Sequence, residues 1–200
     1  AGNVSVDGGT IKLDGNYPTG TNNVALGDTA LDDGSLSGGN NTAVGASALT
    51  ANTTGTQNTS VGSNSLLNNT SGNYNTGLGN QALVTNTTGG YLVAVGKDSL
   101  LLNTTGNFNT AIGNDSLRSN TTANSNTAVG YQAAYSNTTG TSVDAFGTGA
   151  LYANTTGTNN VGMGASSLVS NTTGASNSAF GRDALRNNTT ASNNTAVGYQ

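Results

Sequence analysis

The chain has 200 residues, of which only 7% are charged; its net charge is -4, and it holds 30 glycines and no His, Cys or Trp. Without Cys it has no disulfides and no thiolate metal sites, and five basic residues are too few for the footprint of a nucleic-acid binder. No apolar run reaches the roughly 18 residues that a membrane helix needs, so no membrane insertion is expected.

The first 22 residues are read as a lead-in. Val4-Ser5-Val6 and Thr10-Ile11-Lys12-Leu13-Asp14-Gly15 have the pattern of two short strands joined by a tight turn at Asp7-Gly8-Gly9, and Gly15 to Gly20 is a connecting loop. Residues 23–44 form an atypical first coil, with Asp32-Asp33-Gly34-Ser35-Leu36-Ser37-Gly38-Gly39 where later coils have a shorter corner. Terminal repeats are usually atypical. Residues 45–200 are a seventeen-residue repeat that stops inside a motif, at Val197-Gly198-Tyr199-Gln200, as expected of part of a longer protein.

The repeat is marked by Gly45, Gly62, Gly79, Gly96, Gly113, Gly130, Gly147, Gly164, Gly181 and Gly198, preceded by Gly27 at a spacing of eighteen. Such a period means stacked coils. Just before each marker stands a large apolar residue, such as Val44, Val61, Leu78, Ile112 or Phe146. Before that comes a small one, such as Ala43 or Ala111, and before that a mostly β-branched one, such as Thr42 or Val93. This alternation predicts a short strand with one face inward. A second apolar column follows four residues after the marker, including Leu49, Leu66, Leu83 and Leu100. The two large columns are expected to form a thin core.

Beside the leucines runs a column of Ala or Ser, such as Ala48, Ser65, Ala82 and Ser99, where a neighbouring chain would approach closely. A thin coil buries little apolar surface for the chain it must order. Self-association is therefore expected, with a trimer as the simplest rod. A helical reading fails on Gly and Asn content and on the lack of an apolar stripe. A hairpin meander fails for want of Asn-Gly turns. The fold expected is an all-β solenoid of about ten coils, each rising about 4.8 Å, or roughly 48 Å in all.

The corner Asn-Thr-Thr-Gly, as in Asn52-Thr53-Thr54-Gly55, suits a water-facing turn in which Asn and Gly take left-handed backbone. In register, its asparagines would also form amide ladders. The same corner matches the N-glycosylation sequon at Asn52, Asn69, Asn86, Asn103, Asn120, Asn137, Asn154, Asn171 and Asn188. Glycan attachment competes here with plain turn chemistry. Tyr74, Tyr91 and Phe108 share one position in successive coils, either as a platform for a sugar face or as packing against a neighbour. Tyr135, Tyr152, Arg118 and Arg186 share another, read as surface. Asp32-Asp33 offers carboxylates to calcium or is a solvated turn, and the latter is preferred. Thr columns at the corner raise an ice-binding reading, but adjacent Thr side chains point to opposite faces.

The strings Asn126-Thr127-Ala128-Val129-Gly130-Tyr131-Gln132-Ala133-Ala134 and Asn137-Thr138-Thr139-Gly140 resemble the head repeats of trimeric autotransporter adhesins. They resemble still more the repeats of bacteriophage tail fibres, as does the lead-in from Gly9 to Pro18. The resemblance implies a homotrimeric, left-handed β-roll at a virion or cell surface, used for attachment, with a cell-surface glycan or receptor as partner. The adhesin repeat is shorter and carries one more residue before the glycine.

No cofactor, metal site or catalytic constellation is expected, since His, Cys and Glu are absent and the nine Asp form no repeated pair. The functional expectation is a rigid extracellular shaft presenting a distal receptor-binding tip. The alternative is a subunit of an extracellular, N-glycosylated filament with a mechanical or protective role. An ice-binding solenoid ranks below both.

Overall fold

The computed structural model describes residues 20–199, so the lead-in strands expected before Gly15 lie outside the described residues. Eleven strands of three residues follow one another: β1 (Val24–Leu26), β2 (Thr42–Val44), β3 (Thr59–Val61), β4 (Thr76–Leu78), β5 (Val93–Val95) and β6 (Thr110–Ile112). Then come β7 (Thr127–Val129), β8 (Asp144–Phe146), β9 (Val161–Met163), β10 (Ser178–Phe180) and β11 (Thr195–Val197). They form one parallel sheet in sequence order. No residue among those described is helical. Each strand pairs with its own copy one repeat on, as in Thr110↔Thr127 and Ile112↔Val129. The first pair, Val24↔Thr42, absorbs the eighteen-residue coil. The chain is a β-solenoid of about ten coils.

The strands face the other way from expectation. Their middle residues are the buried ones: Ala43, Ala94, Ala111, Ala128 and Ala145 have no exposure, while Val61 and Ile112 keep 39% and 40%. The large column before the marker glycine therefore points outward. The interior explains why. At Gly77 and Gly162, which take the middle place in β4 and β9, an added Cβ would meet Ser65 Oγ at 2.6 Å or Ser167 Oγ at 2.9 Å, with the side chain of Leu66 or Leu151 next at 3.2–3.4 Å. With leucine filling the coil from the opposite wall, only a small side chain fits on the strand side.

The Ala/Ser column is not a docking surface for another chain. Ala48, Ser65, Ala82 and Ser99 are fully buried beside their leucines. Both residues of each pair, such as Ala48 and Leu49, are inside, which period-two alternation forbids in a regular strand. Backbone conformation resolves this. Leu49, Leu66, Leu83, Leu100, Leu117, Leu151, Leu168 and Leu185 all take left-handed φ, from 47° to 57°. That costs about 1–2 kcal/mol per L-residue, offset by about 1.5–3 kcal/mol for burying leucine. The buried serines satisfy their hydroxyls locally, Ser99 and Ser116 on the carbonyls of Gly96 and Gly113.

Coils are joined well beyond the strands. Leu100 N–H donates to Ser116, Thr104 N–H to Thr121 and Phe108 N–H to Gly90. Each coil is thus tied to its neighbours along several walls. The marker glycine closes each strand at φ 126–142°, outside what L side chains adopt. A Cβ at Gly113 would also lie 2.5 Å from the carbonyl oxygen of Gly130 in the next coil. Two independent constraints hold that column to glycine.

Candidate functional site

The interior has a polar half built from two asparagine ladders. The corner asparagines form one. Asn103 Nδ2 donates to Asn86 Oδ1 at 2.8 Å and to its own coil's Gly106 carbonyl at 3.1 Å, while Asn120 Nδ2 donates to Asn103 Oδ1 at 2.8 Å. The residue preceding the strand supplies the second at nine of the eleven strands, Leu92 and Val143 holding that place before β5 and β8. Asn58 Nδ2 donates to the Gly72 carbonyl at 2.9 Å, and its Oδ1 accepts from the backbone N–H of Asn75 at 2.9 Å. The ladders converge, because Gly72 O also accepts from Asn69 Nδ2 at 3.1 Å. The amide ladder at the corner was legible in sequence. The second ladder (Asn23, Asn41, Asn58, Asn75, Asn109, Asn126, Asn160, Asn177, Asn194) was missed, although its register carried the signal.

These bonds correct the reading of the corner as a water-facing edge. Asn52, Asn69, Asn86, Asn103, Asn120, Asn137, Asn154 and Asn171 have no solvent exposure. Asn188, in the final coil, is half-buried and still donates to Asn171 Oδ1 and to the Ala191 carbonyl. From Asn69 to Asn171 the nitrogen that a glycan would occupy is inside and donates twice. The corner asparagines thus have a packing role. Neither the corner Asn nor the corner Gly takes left-handed φ. Corner glycine has another cause: at Gly89 a Cβ would meet Asn86 Oδ1 at 2.5 Å and the Gly106 carbonyl oxygen at 2.4 Å. Ala123 shows that a methyl group is tolerated there, with both asparagine bonds kept, to Asn109 at 2.8 Å and Asn120 at 3.2 Å.

Thr groups at the corner are divided. Thr53, Thr70, Thr87 and Thr104 are half-buried and donate their hydroxyls to carbonyls of the next coil at 3.0–3.1 Å. Thr54, Thr88 and Thr105 are exposed. With the first Thr hydroxyl of each pair spent on backbone, the corner offers one Thr column to solvent.

Tyr74, Tyr91 and Phe108 do stack, with centroids 4.8 and 5.0 Å apart and planes within 12° and 16°. They remain 49%, 54% and 60% exposed. Because each ring covers its neighbour's face, the ladder presents edges outward, and Tyr91 has both faces occupied. Within the stack only Tyr74 and Phe108 keep a face not covered by another ring of the ladder. Tyr135 and Tyr152 stack likewise at 5.1 Å, with the Arg118 guanidinium 5.8 Å from the Tyr135 centroid. Tyr135, Tyr152 and Arg118 are half-buried, while Arg186 in the same column is exposed.

Charges pair locally. Arg186 reaches Asp183 at 2.6 Å, Arg118 reaches Asp115 at 3.4 Å, and Lys97 lies 3.5 Å from Asp98. The Asp33 carboxylate accepts the hydroxyl and the N–H of Ser35. These bonds, the hydroxyl first, lower its pKa. Their contribution to the turn is present above the ordinary carboxylate pKa and fades as pH falls through the lowered one. Among the described residues no three acidic, His or Cys side chains cluster. Among the described residues no helix is long and apolar enough to cross a membrane.

One open hollow of about 500 Å³ lies at the final coil, lined by Ala184, Leu185, Asn188, Ala191, Ala196 and Val197. It is the uncovered cross-section of the stack. The most extensive unusual surface is instead the outer wall of the sheet. Leu26, Val61, Ile112, Met163 and Phe180 are each 38–40% exposed, and the other strand-end apolar residues before Val197 are half-buried. No family model, curated protein or solved structure matches this chain.

Proposed function

We propose that the chain is a rigid, non-enzymatic shaft segment of an extracellular attachment fibre, of the kind found in phage tail fibres and cell-surface adhesins. The observation that carries this reading is the double asparagine ladder. Between them the two ladders tie each coil to the next by side-chain as well as backbone bonds, the corner ladder unbroken from Asn52 to Asn188 and the second interrupted at Leu92 and Val143. Buried, fully bonded amides stiffen a core and fix its register. Nearly every inward residue serves that purpose, so the repeat supplies length and stiffness while recognition falls to other parts of a fibre. Lateral association of chains, the homotrimer of the resemblance included, belongs to this proposal. Its contact is not the Ala/Ser column, which is buried within one chain.

Electron microscopy of the purified chain tests the reading. A straight rod growing by about 4.8 Å per added coil is expected. A globular particle, or a flexible thread whose length does not follow coil number, would refute it. Burial of eight of the nine sequon asparagines weighs against the glycan coat of the filament alternative.

A further inference from the structure

We infer that the outer face of the strand ladder is a self-association surface, on which a second copy of this chain packs its own ladder. The inference deepens the fibre reading by assigning the face through which chains associate. Within the chain, repetition acts as an internal comparison. The residue after the marker glycine is exposed in every described coil and varies freely, including Asp28, Lys97 and Arg182. The residue before the marker also reaches solvent, half-buried in five strands and 38–79% exposed in the other six, yet it is large and apolar in all eleven. Solvent alone imposes no such restriction, whereas a covering partner does.

Chemistry selects the partner. The outward strand positions carry a single charge, Asp144, so neither an anionic nor a cationic partner is favoured and two copies meet without repulsion. The rows repeat every 4.8 Å or so along the axis. An occupant that fills every row must share that period, as in the dry interfaces between paired sheets of stacked strands. A second copy has it by construction. Eleven rows about 10 Å wide give roughly 500 Å² per copy, or about 1,000 Å² in a pair, at the lower limit for a specific interface. Association is therefore weak for this segment and strengthens with each further coil.

The test combines sedimentation over a concentration series with three exposed positions, Val61, Ile112 and Met163, changed together to Lys. Each is already 39–40% exposed, so the coil keeps its fold, which circular dichroism verifies. The expected result is reversible self-association whose dissociation constant rises at least about 100-fold in the variant, since a buried unpaired charge is costly. Lys at Asn114, Thr148 and Ala165, one column away, should leave it unchanged. The chain has no cysteine, so Ile112→Cys is a lone reporter: it should form disulfide-linked dimers on mild oxidation, and Asn114→Cys should not. A chain that stays monomeric overturns the inference, as does association indifferent to the Lys changes. In either case a rod of the right length in micrographs leaves the fibre reading standing.

Discussion

Asn103 donates its side-chain amide to Asn86 Oδ1 at 2.8 Å, and neither residue has any solvent exposure. A buried acceptor left unmade costs about 1–3 kcal/mol, so each rung of the ladder binds two coils by the penalty of breaking it. Asn103→Ala removes the donor to Asn86 and to Gly106 and the acceptor of Asn120. A loss of about 2–4 kcal/mol is expected, read as faster native-state amide exchange in the coils on either side. Thr105→Ala, on the exposed second Thr, should change stability by less than about 0.5 kcal/mol.

The two glycine columns should respond differently to a methyl group. Gly147→Ala meets both a φ of 128° and the stacked backbone of Gly164 at 2.7 Å, and a loss above about 3 kcal/mol is expected. Gly140→Ala meets only the contact that Ala123 already accommodates, and about 1 kcal/mol is expected. Thermal unfolding of the two variants checks the order. Equal losses would mean that the left-handed conformation contributes nothing to the requirement for glycine.

Leucine in left-handed backbone reverses a familiar ranking. In ordinary strands or helices, Gly is worse than Ala by about 0.5–1 kcal/mol. At Leu100, φ is 50°, so Leu100→Ala loses the core side chain and keeps the strained backbone. Leu100→Gly loses the same packing but relieves the strain. Both should destabilise by about 2–5 kcal/mol, with Gly no worse than Ala in denaturant titrations of the pair.

The middle ring of the aromatic stack should matter most. Tyr91→Ala removes two ring contacts and Tyr74→Ala one. Each contact is worth about 0.5–1.5 kcal/mol, nearer the lower figure at such exposure. A double-mutant cycle on Tyr91 and Phe108 measures the coupling directly, and zero coupling would reduce the stack to a coincidence of register.

Much of the fold was legible because stacking converts sequence period into spatial register. Gly113 and Gly130, or Asn86 and Asn103, occupy equivalent places in successive coils, so the coil number, the strand positions and the amide ladder followed from the repeat alone. Which columns point inward was not legible. Apolar character suggested that Val61 and Ile112 were core, and polar character suggested that Asn69 and Asn103 were surface; both expectations were reversed. The reason lies at Leu66 and Leu100, whose left-handed φ no propensity scale would assign to leucine. That turn places Ser65 and Leu66, or Ser99 and Leu100, side by side in the interior.

By itself the sequence determined the stack: a fixed period forces equivalent residues above one another, and that holds for any cross-section. Only the tertiary structure decided the cross-section. Seventeen residues enclose a space so narrow that leucine from one wall leaves room for alanine on the other. The hydrogen bonds of the asparagines make the remaining half of the interior a place for amides. The large strand residues are left outside, where the proposed contact with a second copy would cover them.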